Sequence, residues 1–189
     1  MNKSKILVHL CCAPDAIYVM NLLKDRNDVT GYFYNPNIFP IEEYYFRQEE
    51  TRKVARILNF QLLEEDYENN YWLEVTKKYK DEPEMGKRCN ICYAMRLKKT
   101  ALKASELGFE IFTTVMSLSP WKKAEVINKV GRMFAQRYKI LFMEANFKKK
   151  DGFKKSVELS RSHQLYRQNY CGCIFSQRNA ETTKARKDK

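Results

Sequence analysis

Six cysteines in three close pairs are the residues of this 189-residue chain best suited to chemistry. The pairs are Cys11-Cys12, Cys89-x-x-Cys92 and Cys171-x-Cys173. Two thiolates this close along a chain can bind the same metal ion or the same iron–sulfur cluster. In a small secreted protein such pairs would predict disulfides, whereas in a cytosolic chain they more often bind metal or carry redox chemistry.

The number of thiols favours an iron–sulfur cluster over structural zinc. Three pairs from distant parts of the chain fit one assembled site better than three separate sites. A structural zinc site and a [4Fe–4S] cluster each take about four ligands. Either one leaves a pair over, and that pair suits a redox dithiol or a second metal site.

Asp15 and the two histidines are the other candidate ligands. Asp15 closely follows the first cysteine pair, where it suits a metal ligand or proton donor equally well as a carboxylate stabilising a helix N-terminus. His9 lies in a predicted strand, and we expect it to be a hydrogen-bonded core residue. His163 lies in a basic segment without metal-motif spacing, so a mixed cysteine–histidine zinc site stays open.

The elements that must position these residues alternate between strand and helix. Apolar runs predict strands at 5–10, 29–34, 60–63, 111–115 and 140–143. Helical spacing predicts helices from near Pro14, at 41–58, 71–79, 89–107 and 122–135, with Gly108 as a C-terminal cap. We therefore predict an α/β fold, a single domain over 1–189 with a mainly parallel, Rossmann-like sheet flanked by helices and a helical C-terminal part. Ligands of such sheets bind beyond the carboxyl ends of the strands, which is where Cys11 and Cys12 fall.

The net charge of +12 predicts a polyanionic partner, with nucleic acid favoured. Candidate phosphate contacts are Arg47, Arg88 and Arg96, although a salt-bridged or solvated role is commoner for each. Candidate base-stacking residues are Tyr44, Tyr45, Tyr93 and Trp121, although core packing is the usual role of an aromatic residue. Residues 184–189 predict a flexible basic tail.

Several other function classes find no support in the sequence. No apolar run is long enough to span a membrane, and nothing resembles a signal peptide, so we expect a cytoplasmic protein without a membrane partner. Neither G-x-x-x-x-G-K-[ST] nor G-x-G-x-x-G occurs, and there is no case for ATP, NAD or flavin.

Taken together, the motifs resemble one enzyme family over nearly the whole chain. The matching elements, in order, are Leu7-Val8-His9-Leu10-Cys11-Cys12-Ala13-Pro14; Asn35-Pro36-Asn37-Ile38 with Pro40, Glu43 and Tyr44; Gly86-Lys87-Arg88-Cys89-Asn90-Ile91-Cys92-Tyr93 with Arg96-Leu97; Thr113-Thr114 with Ser117-Leu118-Ser119-Pro120 and Lys122; and Tyr170-Cys171-Gly172-Cys173 with Ser176. This set resembles the cobalamin-independent epoxyqueuosine reductases of the QueH family. Asp15 departs from the pattern, because many relatives have a third cysteine there.

The resemblance implies iron–sulfur dependent reduction of epoxyqueuosine to queuosine at the wobble position of tRNA, the final step of queuosine biosynthesis. The reaction takes two electrons and two protons and releases water, so the implied partners are a tRNA carrying epoxyqueuosine in its anticodon loop and an unidentified electron donor. We expect Cys11, Cys12, Cys89 and Cys92 to hold a [4Fe–4S] cluster. Cys171 and Cys173 then form a redox-active disulfide pair, or join Asp15 around a second mononuclear metal, iron or zinc.

Three alternatives from other classes remain open at this stage. A cluster-containing tRNA sulfur-transfer enzyme needs an S-G-G-x-[DS]-S loop after strand one, where this chain has residues 11–15 instead. A zinc-stabilised RNA-binding module would show no colour and no redox activity. A thiol–disulfide oxidoreductase would place Cys-x-x-Cys directly after a strand, and Cys89 lacks a convincing preceding strand.

Overall fold

The computed structural model describes residues 3–177, so the predicted basic tail at 184–189 lies outside the described residues. The strands are β1 (Ser4–His9), β2 (Asn27–Phe33), β3 (Gln61–Glu64), β4 (Ile111–Thr114) and β5 (Leu141–Phe142). The α-helices are α1 (Ala13–Leu23), α2 (Ile41–Leu58), α3 (Asn69–Thr76), α4 (Lys87–Glu106), α5 (Ala124–Tyr138) and α6 (Gly152–Ser162). Short 3₁₀ helices cover Lys77–Tyr79 and Val115–Leu118.

The five strands form one parallel sheet in the order β3-β2-β1-β4-β5. The central strand β1 is a continuous apolar run, in which Ile6, Leu7 and Val8 have no exposed surface. Such a run is typical of a parallel sheet covered on both faces, because both sides of the strand are then buried. The predicted fold class is confirmed.

Two groups of helices cover the sheet. Helix α1 packs against α2 and α6, whereas α4 packs against α3 and α5 and contacts β1 and β4. Right-handed crossovers require this division, because the chain moves outward from β1 to β3 and then returns past β1 to β4 and β5.

The return of the chain creates a crevice between the carboxyl ends of β1 and β4. Neighbouring crossovers leave these two strands toward opposite faces, which is the topological switch point where α/β proteins bind ligands. The segments that follow β1, β2 and β4 all begin at this carboxyl end of the sheet. Asn35 Nδ2 donates to the Leu10 carbonyl at 2.9 Å, tying the segment after β2 to the end of β1.

Element boundaries agree with the sequence-based ones to within three residues, and the start of α5 has a clear local cause. The helix predicted from residue 122 begins at Ala124, because Lys122 closes a turn onto the Ser119 carbonyl at 3.2 Å and Lys123 is extended. Gly108 takes a φ of +70° after α4, as expected for a C-terminal cap. Within residues 3–177, every helix is too short or too polar to cross a bilayer.

Candidate functional site

The first cysteine pair and Asp15 come together where β1 passes into α1. Cys11 Sγ lies 3.9 Å from Cys12 Sγ and 3.7 Å from Asp15 Oδ2. Cys12 is the extended residue that precedes α1, and Pro14 and Asp15 occupy the first turn of the helix. The two thiols and the carboxylate lie within 4.8 Å of one another, close enough to hold one metal ion.

Charge and burial act in opposite directions on this group, and burial raises the pKa values of Cys12 and Asp15. A hydrogen bond from Cys12 is the largest effect on Cys11; with the nearby charges of Lys122 and Arg96 it outweighs burial and lowers the pKa of Cys11 to about 5. Cys11 is therefore a thiolate at neutral pH, the form that binds metals. Burial and the Cys11 charge raise the pKa of Asp15 to about 7.

Cys89 and Cys92 lie one turn apart in the first turns of α4 and so project from the same side of the helix. Gly86 precedes the helix, and the preceding segment is a 3₁₀ turn and loop, in agreement with the expectation that no strand leads directly into this pair. One further turn along, Arg96 Nη1 lies 3.9 Å from Cys92 Sγ. Cys92 packs with Trp72 and Cys173 in one buried cluster.

The third pair is held in place by contacts with the segment after β2. Arg47 Nη1 donates to the Cys171 carbonyl at 3.2 Å, and its Nε donates to Glu43 at 2.7 Å. The Phe39 amide donates to the Gly172 carbonyl at 2.8 Å. The Cys171 amide donates to Ser176 Oγ at 2.9 Å. These bonds fix residues 171–173 against α2 although they lie more than 120 residues away in sequence.

Electrostatic effects show which thiols face one another. Burial is the main cause of the raised pKa of Cys89, to about 11, and of Cys173, to about 12; the charge of Cys171 adds to both. Burial likewise raises the pKa of Cys92, and Cys171 contributes there too. Cys171 is therefore close enough to the other three thiols of this set, Cys89, Cys92 and Cys173, to affect the pKa of each.

Lys122 and Arg96 lie between the two sets of thiols. Cys171, Cys11 and Asp15 all raise the pKa of the buried Lys122 and outweigh its desolvation. Arg96 is likewise buried, and its Nη2 donates to Asn35 Oδ1 at 2.9 Å. A buried cation is costly unless anions face it, so these two side chains indicate a site built for negative charge.

His9 is a core residue, as predicted. It has no exposed surface, and its ring nitrogens lie 2.9 Å from Thr114 Oγ1 and 3.1 Å from the Tyr34 carbonyl. Burial and then Arg96 lower its pKa well below the usual value, so the ring is neutral.

The candidate phosphate contacts prove to be structural. Arg47, Arg88 and Arg96 are each 2% exposed. Arg47 and Arg96 make the contacts above, and Arg88 donates to backbone carbonyls of residues 79–82 and stacks on the Phe175 ring, 4.5 Å from its centre. The salt-bridged role considered for each is confirmed for Arg47, whereas Arg88 and Arg96 are buried and donate to carbonyl and amide oxygens instead.

The candidate stacking residues divide by burial. Tyr44 and Tyr93 belong to the core, whereas Tyr45 is 55% and Trp121 is 73% exposed.

Sequence reasoning gave no separate role to Lys122 or Trp72. Lys122 stood within a quoted motif, but only its burial marks it as part of the site.

All six cysteines are free thiols in the structure, and the disulfide between Cys171 and Cys173 stays a prediction.

The fold and the site together define the class of this protein: it is an α/β protein with thiols at the switch point of a parallel sheet. A family profile described as epoxyqueuosine reductase QueH matches residues 6–179. Epoxyqueuosine reductase QueH of Histophilus somni is 38% identical over 178 residues, covering 93% of this chain and 73% of the relative. The enzymes of Acinetobacter baylyi (39% over 180 residues; 94% and 83%) and Thermotoga maritima (37% over 174 residues; 90% and 89%) are similar. The chain belongs to the epoxyqueuosine reductase QueH family, which confirms the predicted family and oxidoreductase class.

Solved structures share the fold at low sequence identity. The U34-tRNA thiolase NcsA from Methanococcus maripaludis, solved with its [4Fe–4S] cluster, aligns with a TM-score of 0.59 and 11% identity, over 98% of this chain and 67% of that one. A predicted subunit of tRNA methyltransferase from Methanocaldococcus jannaschii aligns with a TM-score of 0.53 and 14% identity, over 81% and 76%. These likenesses support the fold.

Gly172 provides a test of how the third cysteine pair is positioned. Its φ of +127° strains any residue with a side chain, and an added Cβ would lie 3.1 Å from Arg47 Nη1 and 3.2 Å from Ile38 Cγ1. We expect Gly172→Ala to cost about 1–3 kcal/mol of stability and to lose most of the metal bound through Cys171 and Cys173. Thermal unfolding and metal analysis after anaerobic reconstitution measure both effects.

Gly108→Ala is the matched control, because Gly108 also has a positive φ (+70°) but no atom lies within 4 Å of the added Cβ. We expect that variant to lose about 1 kcal/mol of stability and to keep its metal. Full metal content in Gly172→Ala would show that this glycine does not position the pair.

Proposed function

We propose that this chain reduces epoxyqueuosine to queuosine at the wobble position of tRNA, with a [4Fe–4S] cluster and an external one-electron donor. The observation that carries the proposal is a close group of two thiols and a carboxylate, together with a buried cluster that packs the thiols of Cys92 and Cys173, in a chain of this family. Two-electron reduction of an epoxide needs an electron source and a means of stabilising the departing oxygen. One group of thiols suits a cluster that supplies electrons, and the other group suits a metal ion that stabilises the departing oxygen.

We propose that Cys89, Cys92, Cys171 and Cys173 hold the cluster. Cys92 and Cys173 share one buried cluster with Trp72, and Cys171 is close enough to the other three thiols to affect their pKa values. A four-iron cluster is larger than a single ion, so its ligands stand around it rather than around one point. This division differs from the sequence-based one, which gave Cys11 and Cys12 to the cluster.

The same geometry favours Cys11, Cys12 and Asp15 as the second metal site. These three donors lie within 4.8 Å of one another, whereas the sequence-based division joined Asp15 to Cys171 and Cys173. Two thiolates and one carboxylate suit iron or zinc and leave room for an oxygen ligand from a substrate. When bound, the cluster would pass electrons singly and the second metal would polarise the epoxide oxygen.

Lys122 is placed to stabilise negative charge on that oxygen. It is 9% exposed and faces Cys11, Asp15 and Cys171, so it lies between the two groups of ligands. Its raised pKa keeps it a fixed cation at neutral pH. A preorganised cation in a site with little water stabilises charge that develops in the transition state.

Several features support tRNA as the substrate. The chain carries a net charge of +12, and the names of two structural neighbours, the thiolase and the methyltransferase subunit, refer to tRNA. Trp121 is exposed and directly precedes Lys122, so a base stacked on its ring would lie at the rim of the site. Binding through phosphates should weaken steeply with salt.

A cytoplasmic location also stays a prediction.

The structure and the comparisons give the alternatives less support. The segment after β1, where a sulfur-transfer enzyme needs its ATP-pyrophosphatase loop, is occupied by the Cys11, Cys12 and Asp15 group. A zinc-stabilised RNA-binding module explains neither the family membership nor the two adjacent sets of thiols. The [4Fe–4S] cluster of the thiolase belongs to a protein only 11% identical, so it does not argue for the same reaction.

The activity is tested with anaerobically reconstituted protein, dithionite-reduced methyl viologen and tRNA isolated with epoxyqueuosine at its wobble position. Mass spectrometry of digested nucleosides should show conversion to queuosine, with none from boiled protein or without reductant. Unchanged epoxyqueuosine in the presence of an intact, reducible cluster would contradict the proposal.

Two single variants distinguish the ligand divisions. We expect Cys173→Ser to lose the cluster, with its iron, sulfide and visible colour. We expect Cys12→Ser to keep about four irons and four sulfides but to lose the second metal. Metal and acid-labile sulfide analysis measures both variants against the wild type. The opposite pattern, a colourless Cys12→Ser and a brown Cys173→Ser, would restore the sequence-based division.

Trp121→Leu should weaken binding of an anticodon stem-loop RNA, because stacking on an aromatic ring is worth about 1–3 kcal/mol per base. The expected rise in Kd is roughly 5- to 150-fold, with Trp121→Phe close to wild type. Leu141→Ala, at another exposed apolar position (67%), is the control and should bind normally. Equal affinity of Trp121→Leu and wild type at low salt would exclude stacking.

A further inference from the structure

Trp72 carries a buried hydrogen-bond donor that makes no full hydrogen bond with the described residues. The side chain is 1% exposed, and its Nε1 has no hydrogen-bond partner among the described residues. Buried indole N–H groups normally find an acceptor, because leaving one unpaired loses the hydrogen bond it made with water. An unpaired donor in a native core therefore points to an acceptor that the protein gains with a ligand.

The donor lies against the thiols. Trp72 is on α3 and packs with Cys92 and Cys173, and the Phe175 ring lies 6.1 Å from its own. Among the influences on Cys92, burial raises its pKa, while Arg96 and the Trp72 N–H counter that rise. The indole N–H thus lies near enough to the Cys92 sulfur to lower its pKa, although the contact between these described residues falls short of a full hydrogen bond.

We propose that the Trp72 indole N–H donates a hydrogen bond to a sulfur at the Cys92 corner of the bound cluster and thereby sets its reduction potential. The inference rests on the proposed function only in requiring that Cys92 be a cluster ligand. Cys92 is a ligand in both the sequence-based and the structure-based division, so the inference does not depend on which is right. Trp72 is a positioning and tuning residue, because it acts on the substrate through the cluster.

The direction of the effect follows from charge. A reduced cluster carries one more negative charge than an oxidised one, and hydrogen bonds to charged acceptors are stronger than bonds to neutral ones. The N–H group therefore stabilises the reduced form and raises the potential, and hydrogen bonds to cluster sulfurs are one of the means by which proteins tune this quantity. Without the donor the cluster should be harder to reduce.

The test compares Trp72→Phe with Trp121→Phe, the same substitution at the other tryptophan of the chain, which is 73% exposed. Potentials are measured by anaerobic redox titration monitored by electron paramagnetic resonance, on protein with full iron and sulfide content. We expect a lower potential in Trp72→Phe and an unchanged potential in Trp121→Phe. A cluster of wild-type potential in Trp72→Phe would overturn the inference.

A second variant covers the case in which Trp72→Phe does not retain its cluster. Incorporation of β-(3-benzothienyl)alanine at position 72 keeps the shape of the indole and replaces the N–H with sulfur. A lowered potential in that protein supports the inference, and a wild-type potential overturns it. Failure of the proposed function would look different, because wild-type protein would then leave epoxyqueuosine unchanged in the activity assay, whatever the potentials of the position-72 proteins.

Discussion

The placement of negative charge inside a largely buried crevice is the constraint on which the rest of the structure depends. Closely spaced thiolates repel one another, and burial adds the cost of removing each charge from water. Arg96 and Lys122 offset that cost from between the two thiol groups, and neither is free to move: Arg96 is bonded to Asn35, and the Lys122 backbone closes a turn after β4. After the hydrogen bond from Cys12, which is the largest cause, these two cations contribute to the lowered pKa of Cys11.

This requirement explains why the site draws on four distant parts of the chain. The first thiols follow β1, the second pair begins α4, Lys122 follows β4, and the third pair arrives from near residue 172. Sheet topology fixes only two of these segments, the one that follows β1 and the one that follows β4. The last is fixed by Arg47, whose guanidinium bonds both Glu43 and the Cys171 carbonyl, and by the backbone bond from Phe39 to Gly172. Arg47 thus positions the third cysteine pair from inside the core, where it cannot contact a substrate phosphate.

Much of this architecture could be predicted from the sequence, because it is encoded locally. The apolar run of β1, Pro14 in the first turn of α1 and Gly108 after α4 each specify their own backbone, and the alternation of elements implies a parallel sheet. The division of the thiols could not be predicted in the same way. Whether Cys92 faces Cys12 or Cys173 depends on long-range contacts of Arg47 and on packing around Trp72. Likewise, Trp72 and Trp121 are one residue type in the sequence, and only the fold makes one a buried donor and the other an exposed ring.

The central claim, that electrons stored at the thiol-bound cluster reduce the epoxide in tRNA, is tested most directly by a single turnover. Protein is reduced, freed of excess reductant and mixed anaerobically with epoxyqueuosine-containing tRNA, and the paramagnetic signal of the reduced cluster is followed while queuosine is quantified. Each cluster stores one electron, so protein is used in more than twofold excess over tRNA. The account predicts that the signal disappears in step with queuosine formation, with two reduced clusters oxidised per queuosine. Queuosine formed while the signal persists, or formed equally well by cluster-free protein, would contradict it.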